Sequence, residues 1–132
     1  MNTELINLNG IGDGRGVLVS LEALKNVPFE IKRVYYLTQL KPNCPRGFHA
    51  HKNLEQLLIC LNGSCDLILD DGTERKTVHL NDSAKGLLIE SMIWREMRNF
   101  SADCVIMVLA SQYYDENDYI RDYETFKKGL AK

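Results

Sequence analysis

Short segments rich in aliphatic, β-branched and aromatic residues recur along almost the whole chain with turn residues between them, and this rhythm constrains the fold more than any other feature. Residues 31–37, 55–61, 65–69, 76–80, 86–90, 93–97 and 104–110 each have the length and composition of a strand. The dipeptides Asn62-Gly63 and Asp71-Gly72 separate neighbouring segments and carry the residue types that close two-residue hairpins. Such a pattern predicts an all-β sandwich or small barrel. At 132 residues the chain suits one domain, residues 1–132, with a substantial core. No run approaches the roughly 18 consecutive apolar residues that suggest a membrane span.

The two ends read differently. Gly10-Ile11-Gly12-Asp13-Gly14-Arg15-Gly16 is a glycine-dense loop, followed by a strand over residues 17–21. A dinucleotide-binding glycine loop opens a helix instead, so these glycines signal turns. Pro42 and Pro45 punctuate a second loop. Only the C-terminal end reads as helix, with Asp115, Glu116 and Asp118 where a helix N-terminus favours acid. Tyr119, Tyr123 and Phe126 then recur at helical spacing, a stripe expected to pack on the barrel.

The formal net charge of −2, with both signs interspersed, argues against a general nucleic-acid surface. It leaves room for one anionic ligand in a locally basic pocket. The four cysteines, Cys44, Cys60, Cys65 and Cys104, show no C-x-x-C spacing, and Met1-Asn2-Thr3-Glu4 lacks signal-peptide character. These features predict a reduced, cytoplasmic protein. Cys60 and Cys104, inside apolar runs, read as small buried hydrophobes.

The chemistry is concentrated in Arg46-Gly47-Phe48-His49-Ala50-His51-Lys52, which holds two of the three histidines. Strand positions i and i+2 share a face, so both imidazoles point to one side. Imidazole serves both as a proton-transfer group near neutral pH and as a metal ligand, and two strand histidines can also be hydrogen-bonded packing residues. With Glu55 the pair matches the H-x-H-x3-E spacing of metal-binding jelly-roll barrels, the cupins. Their third imidazole comes from a later strand, and the corresponding segment here offers Arg95, an unfavourable neighbour for a divalent cation. His79 follows the Asp71-Gly72 turn in a charged strand and is expected at the surface. A proton-transfer site without metal is therefore expected. On the strand before it, Arg33, Tyr35 and Leu37 share one face.

P-F-E-I-K-R-V-Y-Y-L, R-G-F-H-A-H-K, L-N-G-S-C, G-L-L-I-E-S-M-I-W-R-E-M, C-V-I-M-V-L-A-S and Y-Y-D-E-N-D-Y-I-R-D-Y together closely resemble the dTDP-sugar 3,4-ketoisomerases. The resemblance runs from about Asp13 to Phe126. It implies a cupin jelly-roll barrel with a short C-terminal helix, a homodimer, no metal, and a dTDP-linked 4-keto-6-deoxysugar in the barrel mouth. It also makes His49 the proton acceptor, with His51 and Tyr35 beside it. Family members vary at the positions of Arg15 and Arg95, some having histidine at the second, so both arginines are carried over as substrate contacts and the C4 configuration of the product stays open.

The implied reaction takes the C3 proton next to a C4 ketone and reprotonates C4 through an enediol. No redox cofactor is required, because one carbon is oxidised as its neighbour is reduced. Tyr35 or an imidazolium at His51 would stabilise the enediolate. Arg33, Arg46 and Arg95 would serve the diphosphate, for which a planar guanidinium is well shaped. Two other readings remain, a dTDP-sugar 3,5-epimerase and a non-catalytic sugar-binding cupin. Open sheet edges predict dimerisation, with exchange of the strand over residues 17–21 between subunits.

Overall fold

The chain reverses direction at the turn residues. Gly63 has φ +70°, and a Cβ there would collide with the Ser101 Oγ, so both the backbone conformation and the packing require glycine. The computed structural model describes residues 1–130. In chain order the strands are β1 (Ile6–Asn7), β2 (Ile11–Asp13), β3 (Gly16–Leu18), β4 (Arg33–Leu37), β5 (Arg46–His51) and β6 (Gln56–Asn62). They continue with β7 (Cys65–Asp70), β8 (Arg75–Leu80), β9 (Lys85–Ile89), β10 (Trp94–Arg98) and β11 (Val105–Ala110). A 3-10 turn (Glu116–Asp118), β12 (Tyr119–Ile120) and the helix α1 (Tyr123–Leu130) complete the described chain.

Two five-stranded antiparallel sheets result, in the orders β1-β9-β6-β11-β4 and β12-β5-β10-β7-β8, while among the described residues β2 and β3 pair only with each other. This is the expected jelly-roll arrangement. Alternation decides what each face touches. Leu58, Cys60, Ile106 and Val108 of the first sheet meet Leu67 and Leu69 of the second in the main core. Leu57, Ile59 and Leu109 point the other way and are covered by Leu8, Val27 and Phe29. Burial on both faces explains why β6 is an unbroken apolar run rather than an alternating one. Outside the second sheet, Ala50 and Trp94 are covered by Ile120 and Phe126, the latter with no exposed surface.

Both ends differ from the sequence expectation. The glycine-dense segment is a hairpin, pairing Ile11 with Leu18 and Asp13 with Gly16. Its second strand ends at Leu18, because Val19 and Leu21 turn in to pack on the outer cluster. At the other end Asp115 caps only the 3-10 turn, accepting from the Asn117 N–H. The chain then extends, pairing Tyr119 with His51 and Ile120 with Ala50. The edge of β5 offers unpaired backbone groups, and pairing there while burying Ile120 prevails over the helical spacing of Tyr119, Tyr123 and Phe126. The helix starts at Tyr123, with Asp122 accepting from the Thr125 N–H. Among the described residues no helix is long and apolar enough to cross a membrane.

Candidate active site

A bulge aims the first histidine. Gly47 and Phe48 have φ +93° and +56°, and the ladder with β10 shifts register between Arg95 and Glu96. A left-handed phenylalanine is strained, and strand bulges of this kind redirect the side chain that follows. Normal alternation resumes after it, so His49 and His51 share the inner face as the sequence predicts. Their ring centroids are 5.0 Å apart at 89°. Tyr119 packs against both, at 5.0 and 4.4 Å.

A cavity of about 350 Å³ opens at this end of the sandwich. Strand β4 supplies Arg33, Tyr35 and Leu37 to its wall, and β5 supplies Arg46 and His49. Tyr119 and Arg121 close one side. The guanidinium of Arg33 lies 5.1 Å from the Tyr35 ring centre, with Nε and Nη2 buried and without hydrogen-bond partners. Buried donors left free in a cavity wall are poised for an anionic ligand. Arg121 stacks 4.1 Å over Tyr119 and is tied to Glu116 by bonds of 2.9 and 3.0 Å.

Behind the wall lies a second layer of polar groups. Arg95 is 2% exposed, and its guanidinium donates to Gln56 Oε1 at 2.5 Å and to the Ile93 carbonyl at 3.1 and 3.3 Å. Gln56 Nε2 in turn donates to the Tyr35 hydroxyl at 2.9 Å. That hydroxyl oxygen is thus engaged as an acceptor, and its own proton is free to donate into the cavity. Burial pushes the Tyr35 phenol up, which keeps this proton in place. His51 has no exposed surface, and its Nδ1 lies 3.1 Å from Asp118 Oδ2. Asp118 Oδ1 accepts from the Asn53 N–H at 2.9 Å.

Burial, and after it the charge of Arg95, lowers both histidines to about 3. Both are neutral at physiological pH. Of Tyr35 and His51, Tyr35 lines the cavity and His51 lies behind it.

The sequence-derived site residues separate into three places. Arg33, Tyr35, Arg46 and His49 meet at the cavity; His51 and Arg95 form its buried backing; Arg15 stands apart on the β2–β3 hairpin. The Arg15 side chain is 91% exposed and paired with Asp13 at 2.7 Å. Glu55 is half-buried and meets Ser111 through its backbone N–H. Among the described residues, the three metal-type ligands that converge are Cys60, Cys65 and Cys104, within 4.8 Å of one another, and not His49, His51 and Glu55. Those thiols sit in the main core, where burial pushes Cys104 up to about 12 and raises Cys65 as well, in keeping with packing residues. His79 is exposed, beside Asp66.

Sequence reasoning missed Gln56, Asp118, Tyr119 and Arg121. Tyr119 and Arg121 stand two apart, the spacing of one strand face, and that signal was available. Asp118 gave no local signal, since its partner lies 67 residues away.

Fold and site together define a cupin-type barrel whose mouth combines a neutral histidine pair, a free phenolic proton and unpaired guanidinium donors. The chain belongs to the family described as FdtA: WxcM-like, C-terminal, whose sequence model matches residues 1–131. It is 57% identical to the TDP-4-oxo-6-deoxy-alpha-D-glucose-3,4-oxoisomerase of Aneurinibacillus thermoaerophilus, over 100% of this chain and 95% of the relative. A 3,4-ketoisomerase from Helicobacter canadensis superposes with TM-score 0.97 at 49% identity, covering 100% of this chain and 99% of that one. QdtA, a sugar 3,4-ketoisomerase from Thermoanaerobacterium thermosaccharolyticum solved with TDP, gives TM-score 0.95 at 46% identity, covering 98% and 95%. A variant of QdtA has been solved with TDP-4-keto-6-deoxyglucose.

Proposed function

We propose that this protein is a 3,4-ketoisomerase that converts dTDP-4-dehydro-6-deoxyglucose to a dTDP-3-dehydro-6-deoxyhexose. The observation that carries this reading is His49 in the wall of a cavity shared with the Tyr35 hydroxyl and the unpaired donors of Arg33. The identity of the whole chain to 3,4-ketoisomerases supports it against an epimerase or a non-catalytic binder.

His49 takes the C3 proton. The C3–H electron pair enters the enediolate, whose developing charge on O4 receives a hydrogen bond from the Tyr35 hydroxyl. Movement of the O3 proton to O4 and reprotonation at C4 complete the transfer, so C3 is oxidised and C4 reduced. Arg33 and Arg46 hold the diphosphate at the mouth. Arg95 acts from beneath, as a buried cation that keeps His49 unprotonated and, through Gln56, orients Tyr35.

The chemistry proceeds without metal. The reading is supported by Arg95, a guanidinium that stands across the ladder from His49 where a third imidazole is needed. The working form is a homodimer in the reducing cytoplasm. Ile11, Val17 and Leu18 on the hairpin and Val34 and Tyr36 on the edge strand β4 are exposed apolar residues that a second copy would cover. Exchange of the hairpin would carry Arg15 towards the second copy's cavity, which accounts for its distance from the cavity of its own chain. Incubation with dTDP-4-dehydro-6-deoxyglucose, with products read by NMR, tests the activity. The isomerase moves the carbonyl to C3, an epimerase inverts centres and leaves it at C4, and a binder changes nothing.

A further inference from the structure

Two buried ring nitrogens lack partners, His49 Nδ1 and His51 Nε2. They belong to the two rings 5.0 Å apart. Their hydrogen-bonding characters are complementary. Asp118 Oδ2 can only accept at His51 Nδ1, so His51 carries its proton on Nδ1 and offers a lone pair at Nε2. A His49 that presents Nε2 to the cavity as a base carries its own proton on Nδ1. One orphan is thus an acceptor and the other a donor, and burial without partners costs both.

Building on the assignment of His49 as the base, we propose that Asp118 and His51 are a positioning pair that fixes the tautomer of His49. Asp118 holds His51 with its proton on Nδ1; the Nε2 lone pair of His51 engages the Nδ1–H of His49 as the substrate is gripped; and His49 Nε2 stays free to receive the C3 proton. When that proton arrives, the imidazolium formed on His49 is stabilised by the same lone pair, with the Asp118 carboxylate behind it. No proton leaves the pair, and the C3–H electrons remain in the enediolate. The arrangement also answers a difficulty in the site. Arg95 and burial oppose a positive charge on His49, and the Asp118 carboxylate, 3.1 Å from His51 Nδ1, supplies the opposite charge through the His51 ring.

Asp118→Asn is the discriminating variant, because the Asn53 N–H pins its orientation. The amide oxygen keeps the bond from Asn53, the amide NH2 is left facing His51 Nδ1, and His51 is driven to carry its proton on Nε2. That proton opposes the one on His49 Nδ1. The same exchange in a Ser-His-Asp triad keeps the geometry and installs the wrong tautomer. Turnover should fall on the order of 10²-fold or more, while the dissociation constant for TDP changes less than about twofold, since Asp118 is outside the cavity wall.

Three readouts decide. Imidazole ¹⁵N NMR on the unaltered protein should show His51 protonated at Nδ1, and the variant should reverse this; a native His51 protonated at Nε2 overturns the proposal without need of any variant. In D2O, exchange at C3 of the substrate and formation of the isomer should slow together in the variant. Retained C3 exchange with lost isomer formation overturns the proposal, because the pair would then act at C4. Asp118→Glu should restore the native tautomer and part of the turnover, which a merely structural role would not require. If the unaltered protein fails to isomerise the sugar nucleotide, the ketoisomerase reading falls, and the ¹⁵N tautomer still decides the pairing of Asp118 with His51.

Discussion

His49 and Arg95 face one another across the β5–β10 ladder, an unprotonated base set against a guanidinium with almost no exposed surface. Arg95 is lowered by burial to about 10 and is still a cation at neutral pH. It is the second cause, after burial, of the low His49 value. Arg95→Gln should therefore raise the His49 titration midpoint from about 3 while leaving it below the ordinary 6.5. Histidine NMR across a pH series reads this directly, and an unmoved midpoint would count against electrostatic coupling of the two residues. The variant should also lose stability, because donors to the Ile93 carbonyl disappear; a buried acceptor left unpaired costs about 1–3 kcal/mol.

The same relationship bears on metal dependence. With Arg95 opposite His49, a divalent cation meets a fixed positive charge where a third imidazole is needed. Treatment with EDTA should leave turnover unchanged, and metal analysis should find no stoichiometric zinc, iron or manganese. Activity lost on chelation and restored by one metal would return His49, His51 and Glu55 to the role of ligands.

Most of the barrel was legible because strands and turns are local signals. Asp71-Gly72 marked a real hairpin, β7 with β8, whereas Asn62-Gly63 closes none: it carries the chain from β6 in one sheet to β7 in the other, a crossover that no dipeptide signal distinguishes. Period-two reasoning placed His49 beside His51 and Arg33 beside Tyr35. What was hidden rests on long-range pairing. Tyr119 fits a helical stripe by spacing, and only the free edge of β5 makes it a strand residue against the histidines. Likewise the burial of Arg95 follows from Gln56 and Ile93 supplying acceptors, which no spacing rule reveals. Arg15, carried over as a substrate contact, stands exposed on the β2–β3 hairpin and paired with Asp13, a placement that its sequence neighbours do not signal.

Acid should destabilise the fold through the same histidines. Their folded values of about 3 lie below the unfolded reference of 6.5, so the unfolded chain binds protons that the native site refuses. Their stabilising contribution is full above pH 6.5 and is lost progressively as the pH falls towards 3. Between pH 6 and 5, where carboxylates are still ionised, denaturant melts should show stability falling with acid. His51→Gln should flatten that slope. A stability flat over this window in the unaltered protein would mean that the two rings are protonated in the fold.

Association should be tight. The exposed Ile11, Val17 and Leu18 stand on a hairpin that pairs with no other strand among the described residues, and Val34 and Tyr36 lie on an edge. Sedimentation at micromolar concentration should give a dimer, and Val17→Lys with Leu18→Lys should shift it towards monomer. A purely monomeric native protein would remove the hairpin exchange and with it the role of Arg15 in a second copy's cavity.

The base assignment has the sharpest test. His49→Asn keeps a polar side chain of similar size and removes the imidazole lone pair proposed to take the C3 proton. Turnover should fall by roughly 10²-fold or more, with binding of the sugar nucleotide near native, because the lost interaction belongs to the transition state. Tyr35→Phe should cost less, since it removes a hydrogen bond to the enediolate and leaves the base in place. The phenylalanine also leaves Gln56 Nε2 without its acceptor, so melts of both variants are needed to separate chemistry from folding. If His49→Asn turns over at near-native rate as a folded dimer, His49 is not the base, and His51, the other neutral imidazole at this end of the barrel, takes its place.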